Sequence, residues 1–128
     1  MIDTNILLDW LLNRDHIRTA LIDKFFAKTK ELHISDLAIA ELVFALEKYY
    51  ELPREIVSQN LTKVLDEPLF NCNRSLFNRA MTEYIEHPSL SFIDCCLLNY
   101  TYLQNALPLW TFDKKLISQS SGRARLLK

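Results

Sequence analysis

Short apolar runs alternate with helix-period stripes along this chain. Residues 1–3 read as the end of a short strand that feeds a helix over about 5–12, "NILLDWLL". Residues 16–30 hold an amphipathic helix with Ile17, Leu21 and Phe25 on one face. "LHIS" at 32–35 reads as a strand, and Ser35 then serves as the N-cap of a helix over 36–51. Pro53 suits the first turn of another helix, on which Ile56, Val57, Leu61, Val64 and Leu65 form a stripe. "PLFNC" at 68–72 is a third strand candidate, followed by Leu76, Phe77, Ala80, Met81, Tyr84 and Ile85 at helical spacing. A further helix spans about 91–105, and "LPLWTF" at 107–112 is a buried strand ending at Asp113. The tail holds a short helix and a last strand at "ARLL". Strands alternating with helices predict an α/β fold, with a central parallel sheet of four to five short strands sandwiched between helices. Ligands bind such sheets beyond the carboxyl ends of the strands.

Composition narrows the chemistry. The 128 residues suit one domain spanning 1–128, and 49% of them are hydrophobic, enough for a core without disulfide or metal. A net charge of -1 exerts no global pull on nucleic acid. Cys72, Cys95 and Cys96 have no zinc spacing and read as reduced thiols of a cytosolic protein, with Cys95–Cys96 as helix packing. No signal peptide is expected, and the longest charge-free run, between Asp94 and Asp113, is interrupted by polar residues and Pro108, which argues against a membrane span. The single glycine, Gly122, excludes the phosphate loop and the dinucleotide fingerprint, both of which need several. Phosphate chemistry here must rest on side chains or metals.

Four carboxylates stand out. Asp3 ends the first strand candidate. Glu41 is the only non-apolar residue between Leu37 and Leu46, which implies a central helix apolar nearly all round. Asp94 lies in "LSFIDCCLLNY", and Asp113 closes "LPLWTF". A charge in such company needs a partner, a metal or a solvent-facing pocket. Strand ends and helix starts share one rim in this topology. Four carboxylates on one rim repel unless a cation sits among them, and carboxylate oxygen selects Mg²⁺ or Mn²⁺. Each also has a plainer role. Asp94 reads equally as the acidic member of a capping box with Ser91, and Asp3 and Asp113 as helix caps. Asp9, another lone charge in an apolar run, reads as the solvent side of the first helix. Most of the other acidic residues, Glu83 among them, need only solvent.

The order Asp-Thr-Asn, Ala-Glu-Leu, Phe-Ile-Asp and Thr-Phe-Asp-Lys resembles a PIN domain from Asp3 to about Leu116, with "WTFDKKL" after "SFIDCCLLNY" its most specific part. The resemblance implies a PIN-like three-layer sandwich and a small nuclease. Stand-alone copies of this size are mostly the VapC-type toxin of a type II toxin–antitoxin pair and cleave RNA with Mg²⁺ or Mn²⁺. Carried over by position, it implies that Asp3, Glu41, Asp94 and Asp113 are the catalytic and metal-binding acids. It implies that Asn5 orients Asp3 or a metal-bound water, and that Thr111 supports the site by hydrogen bonding. A metal-activated water would cleave the phosphodiester to leave a 5′-phosphate and a 3′-hydroxyl. The resemblance also implies an antitoxin partner and a homodimer, for which helices 36–51 and 53–66 offer an apolar groove. Two features depart from the family pattern: only Met1 and Ile2 precede Asp3, and Cys95–Cys96 stand where small residues are common.

Two basic groups read either as solvated surface or as phosphate contacts: Arg14, Arg18, Lys24, Lys28 and Lys30, and the tail residues Lys114, Lys115, Arg123, Arg125 and Lys128. Trp10, Trp110, Tyr49 and Tyr50 read as core, interface or base-stacking residues. His16, His33 and His87 have no ligand spacing. The rival readings are an idle PIN-fold binding module, an RNA-processing nuclease without a toxin role, a phosphatase on a similar sheet, and a flavodoxin-like signalling domain. The intact quartet opposes the first, the missing Asp-x-Asp pair the phosphatase, and the unexplained later carboxylates the last.

Overall fold

The computed structural model describes residues 1–128, which divide into two compact units, Met1–Asn73 and Arg74–Lys128. The mixed α/β class follows the sequence expectation.

The first unit holds helices α1 (Thr4–Leu12), α2 (His16–Ala27), α3 (Asp36–Lys48) and α4 (Arg54–Asp66), with strands β1 (Leu32–His33) and β2 (Phe70–Asn71). The strands pair in parallel, Leu32 beside Phe70 and His33 beside Asn71. Leu32 and Phe70 are buried while His33 and Asn71 face water, the two-residue alternation of a pleated strand. The chain between them runs through α3 and α4, as a parallel pair requires a long crossover. Residues 1–3 form no regular strand, but the Ile2 N–H donates to the His33 carbonyl at 3.0 Å, so the segment lies along β1. Asp3 starts α1 as its N-cap, and Asn13 ends it in the left-handed region at φ 49°. Ser35 caps α3 as expected, its hydroxyl accepting from the Ala38 N–H. Pro53 stands one position before α4, as its N-cap residue, where its missing N–H costs nothing.

Two helices present faces the periodicity did not assign. In α2 only Ile22 is buried, and the Ile17, Leu21, Phe25 stripe faces solvent, Ile17 at 77% exposure. α3 is not enclosed all round either. It buries Ile39, Leu42, Val43 and Leu46, while Leu37, Glu41 and Phe44 line an exposed face. Periodicity shows that two faces differ; which one is covered depends on neighbours distant in sequence.

Asp9 overturns its sequence reading as a solvent-facing residue. It is 4% exposed and is held by two arginines. The Arg14 Nε donates to Oδ1 at 2.8 Å, and Arg18 donates to Oδ2 at 2.8 Å and Oδ1 at 3.1 Å. The hydrogen bond from Arg18, with that from Arg14, holds the Asp9 carboxyl below the usual aspartate range against the opposing effect of burial. Arg14 also donates to the Tyr50 hydroxyl and the Asn5 carbonyl, so it ties α1 to the segment after α3. Both arginines thus leave the phosphate-contact group proposed from sequence. Trp10 is a packing residue, its ring 5.1 Å from that of Phe70 in an edge-on contact.

The second unit holds α5 (Arg74–Glu86), α6 (Phe92–Leu103), β3 (Leu109–Thr111), α7 (Lys114–Gln119) and β4 (Ala124–Leu126). α5 and α6 pack through Phe77, Tyr84 and Phe92, with the Tyr84 and Phe92 rings edge to face at 5.5 Å. Cys95 is fully buried and Cys96 half-buried. β3 and β4 pair in parallel around α7, with Trp110 opposite Arg125. Glu83 needs more than solvent: its Oε1 accepts from Arg123 and, at 3.0 Å, from the Asn99 amide, while its Oε2 is buried without a partner. Arg123 also donates to the Ser120 carbonyl at 2.8 Å, which removes it from the tail's free cations. No helix is long and apolar enough to cross a membrane.

Candidate metal centre

In the first unit Asp3, Thr4, Asn5, Ser35, Leu37, Ala38 and Glu41 line one hollow of about 480 Å³, together with Met1 and Ile2. α1 and α3 both begin there, which is why Asp3 and Glu41 share it. Asp3 Oδ1 accepts from the Ile6 N–H at 3.1 Å, and its second oxygen makes no hydrogen bond. The Glu41 carboxylate is exposed and makes neither hydrogen bond nor ion pair. Asn5 lines the same hollow with an exposed side chain, and its carbonyl, not its amide, is the group engaged by Arg14.

Thr4 escaped the sequence reading. It is buried, and its hydroxyl donates to the Ala38 carbonyl at 3.1 Å, across 34 positions of chain. That bond fastens the turn bearing Asp3 to the first turn of α3, just ahead of Glu41. The available signal was a polar β-branched residue directly behind the N-cap of a mostly apolar helix; its partner was not visible.

In the second unit, Asp94 and Asp113 each stand at a helix start. Ser91 and Asp94 form a reciprocal capping box: the Asp94 N–H donates to Ser91 Oγ at 3.0 Å, and the Ser91 N–H donates to Asp94 Oδ2 at 3.3 Å. Asp113 Oδ1 accepts from the Lys115 and Leu116 N–H groups at 3.0 and 3.1 Å. The Asp113 N–H in turn donates to Thr111 Oγ1 at 3.0 Å, so Thr111 steadies the cap residue itself. The plain reading of all three aspartates is therefore correct: Asp3 and Asp113 cap helices, and Asp94 is the acidic member of a capping box.

Capping does not exhaust them. Each of Asp3, Asp94 and Asp113 commits one oxygen to the backbone, which fixes the carboxylate's direction, and keeps the other without a hydrogen bond. Such oxygens are acceptor-only hard donors, the kind Mg²⁺ and Mn²⁺ take. The donor chemistry fits a divalent ion, although no group of three or more His, Cys, Asp or Glu side chains is gathered closely enough to hold one. Asp3, Asn5 and Glu41 come together on one hollow; Asp94 is positioned by Ser91, and Asp113 by Thr111.

The model of the family described as the PIN domain matches residues 1–120. Among curated proteins, a VapC ribonuclease of Aquifex aeolicus (strain VF5) is 29% identical over 99 residues, covering 74% of this chain and 73% of that protein.

Proposed function

The chain belongs to the PIN-domain family, and from that premise we propose that it is a metal-dependent endoribonuclease, the toxin of a toxin–antitoxin pair. The observation that carries the reading is the half-committed state of its aspartates: Asp3, Asp94 and Asp113 are each aimed by a helix start yet keep one free oxygen. With Glu41 they would be the acids of the site and would hold Mg²⁺ or Mn²⁺. The ion, when bound, supplies an activated water and charge neutralisation at the phosphoryl group. Asp3 and Glu41, which line one hollow at the starts of α1 and α3, would help to hold it, and Thr4 fastens the two segments to each other. Thr111 and Ser91 hold Asp113 and Asp94 in place. Asn5, exposed beside Asp3, orients it or a water at the site.

The similarity to a VapC ribonuclease supports RNA as substrate, a cognate antitoxin as partner and the cytoplasm as the place of work. The exposed apolar faces of α2 and α3, Ile17 and Leu21 on one and Leu37 and Phe44 on the other, are surfaces of the kind an antitoxin segment or a second copy would cover.

The test is purified protein on structured RNA with Mg²⁺, Mn²⁺ or EDTA, beside Asp94→Asn. Cleavage requires the metal, and Asp94→Asn loses roughly a hundredfold or more in rate. Cleavage in EDTA, or full activity in the variant, contradicts the proposal.

A further inference from the structure

The two tryptophans have opposite surroundings. Trp10 is packed between Phe26 and Phe70, whereas Trp110, on β3, is 56% exposed. Register places Arg125 of β4 directly beside Trp110. Laterally paired residues of parallel strands project from the same face of the sheet, so an exposed indole and an exposed guanidinium stand side by side. Arg125 pairs with no carboxylate, unlike Arg123 two residues earlier, which is held by Glu83. Phe112, two residues beyond Trp110, is 73% exposed. From Lys114 to Lys128 there is no acidic residue, and Lys114, Lys115 and Lys128 are exposed beside Arg125 in sequence.

An apolar ring left in water beside an unpaired cation lacks a partner that is both flat and anionic. An unpaired nucleotide has both properties: a π-face to stack and a phosphate to pair. A second copy of the same face fits poorly, because β3 and β4 carry no acidic residue that could neutralise Arg125. We propose that the β3–β4 face binds a single-stranded stretch of RNA, with a base stacked on Trp110 and the adjoining phosphate held by Arg125. The proposal rests on the ribonuclease reading for its choice of RNA and adds the single-stranded form of the substrate and the residues that select it.

The full chain, kept in EDTA so that nothing is cleaved, is titrated into a short labelled RNA single strand and into the duplex of the same sequence, with anisotropy as the readout. The single strand binds more tightly. Trp110→Ala weakens it by roughly tenfold, whereas Trp110→Phe, which keeps a stacking ring, stays near wild type. Arg125→Ala weakens binding and lowers the slope of log affinity against log salt by about one. With Mn²⁺ present, Trp110→Ala raises KM for RNA cleavage and leaves kcat unchanged. Unchanged single-strand affinity and KM in Trp110→Ala overturn the proposal while leaving the nuclease reading intact. Trp110-dependent binding without any cleavage by wild type does the reverse. A homodimer that dissociates in Trp110→Ala, with RNA affinity unchanged, reassigns the face to a second copy and also overturns it.

Discussion

Asp3 and Asp9 lie on the same short helix, and their surroundings give them opposite roles. Asp9 is buried beneath Arg14 and Arg18 and has both oxygens occupied. Asp3 is exposed and has one oxygen left over. The first is a structural anchor and the second is available to a ligand. Replacing Asp9 by Asn removes charge-assisted bonds, but both arginines reach water and re-solvate, so the cost is about 1–3 kcal/mol, read by urea unfolding. Its pH dependence has a definite sign. The folded-state carboxyl titrates below its ordinary value of 3.8, so the stabilisation is complete above that value and is lost as pH falls below it towards the lowered folded-state pKa. The stability gap between wild type and Asp9→Asn is therefore constant near neutrality and closes in acid below about pH 4. A gap that widens on acidification contradicts this assignment.

At the scale of elements, the contact between α1 and α3 brings Asp3 and Glu41 to one hollow. Thr4→Val deletes the hydroxyl bonded to Ala38 and costs about 1 kcal/mol by urea unfolding. It also raises the Mn²⁺ concentration needed for half-maximal cleavage, because the turn bearing Asp3 is no longer fastened to α3. Thr4→Ser, which keeps the donor, retains wild-type behaviour in both assays. Loss of stability with an unchanged metal requirement makes Thr4 a fold residue alone. The helices themselves were legible in the chain: Ser35 and Ser91 announced their starts, and the stripes of α4 and α5 marked their buried faces. Four strands were located but not their extent, since two or three residues are too few for an alternation to declare itself; residues 1–3 form none, and β3, expected to be buried, leaves Trp110 exposed. The stripe on α2 was seen but not which side is covered, because nothing local says that Ile22 is the buried residue.

Across the whole molecule, the candidate acids were legible because they interrupt apolar runs, while their supports were not. Thr4 meets Ala38, Glu83 meets Arg123, and Asp9 meets Arg18 through chain reversals that no local pattern encodes. That is also why Asp9 was misread: a lone charge in an apolar run signals an unusual environment without saying whether a metal or an arginine supplies it. The family match over residues 1–120 spans all four positions that carry the proposed chemistry.

The contrast between Asp9 and the other four acids gives the most direct test. Initial rates of RNA cleavage in saturating Mn²⁺ are measured for Asp3→Asn, Glu41→Gln, Asp94→Asn and Asp113→Asn beside Asp9→Asn, at a temperature where all are folded by circular dichroism. The four site variants fall by roughly a hundredfold or more, while Asp9→Asn stays within a few fold of wild type. Wild-type rates in any of the four, or a loss in Asp9→Asn as deep as theirs, contradict the assignment.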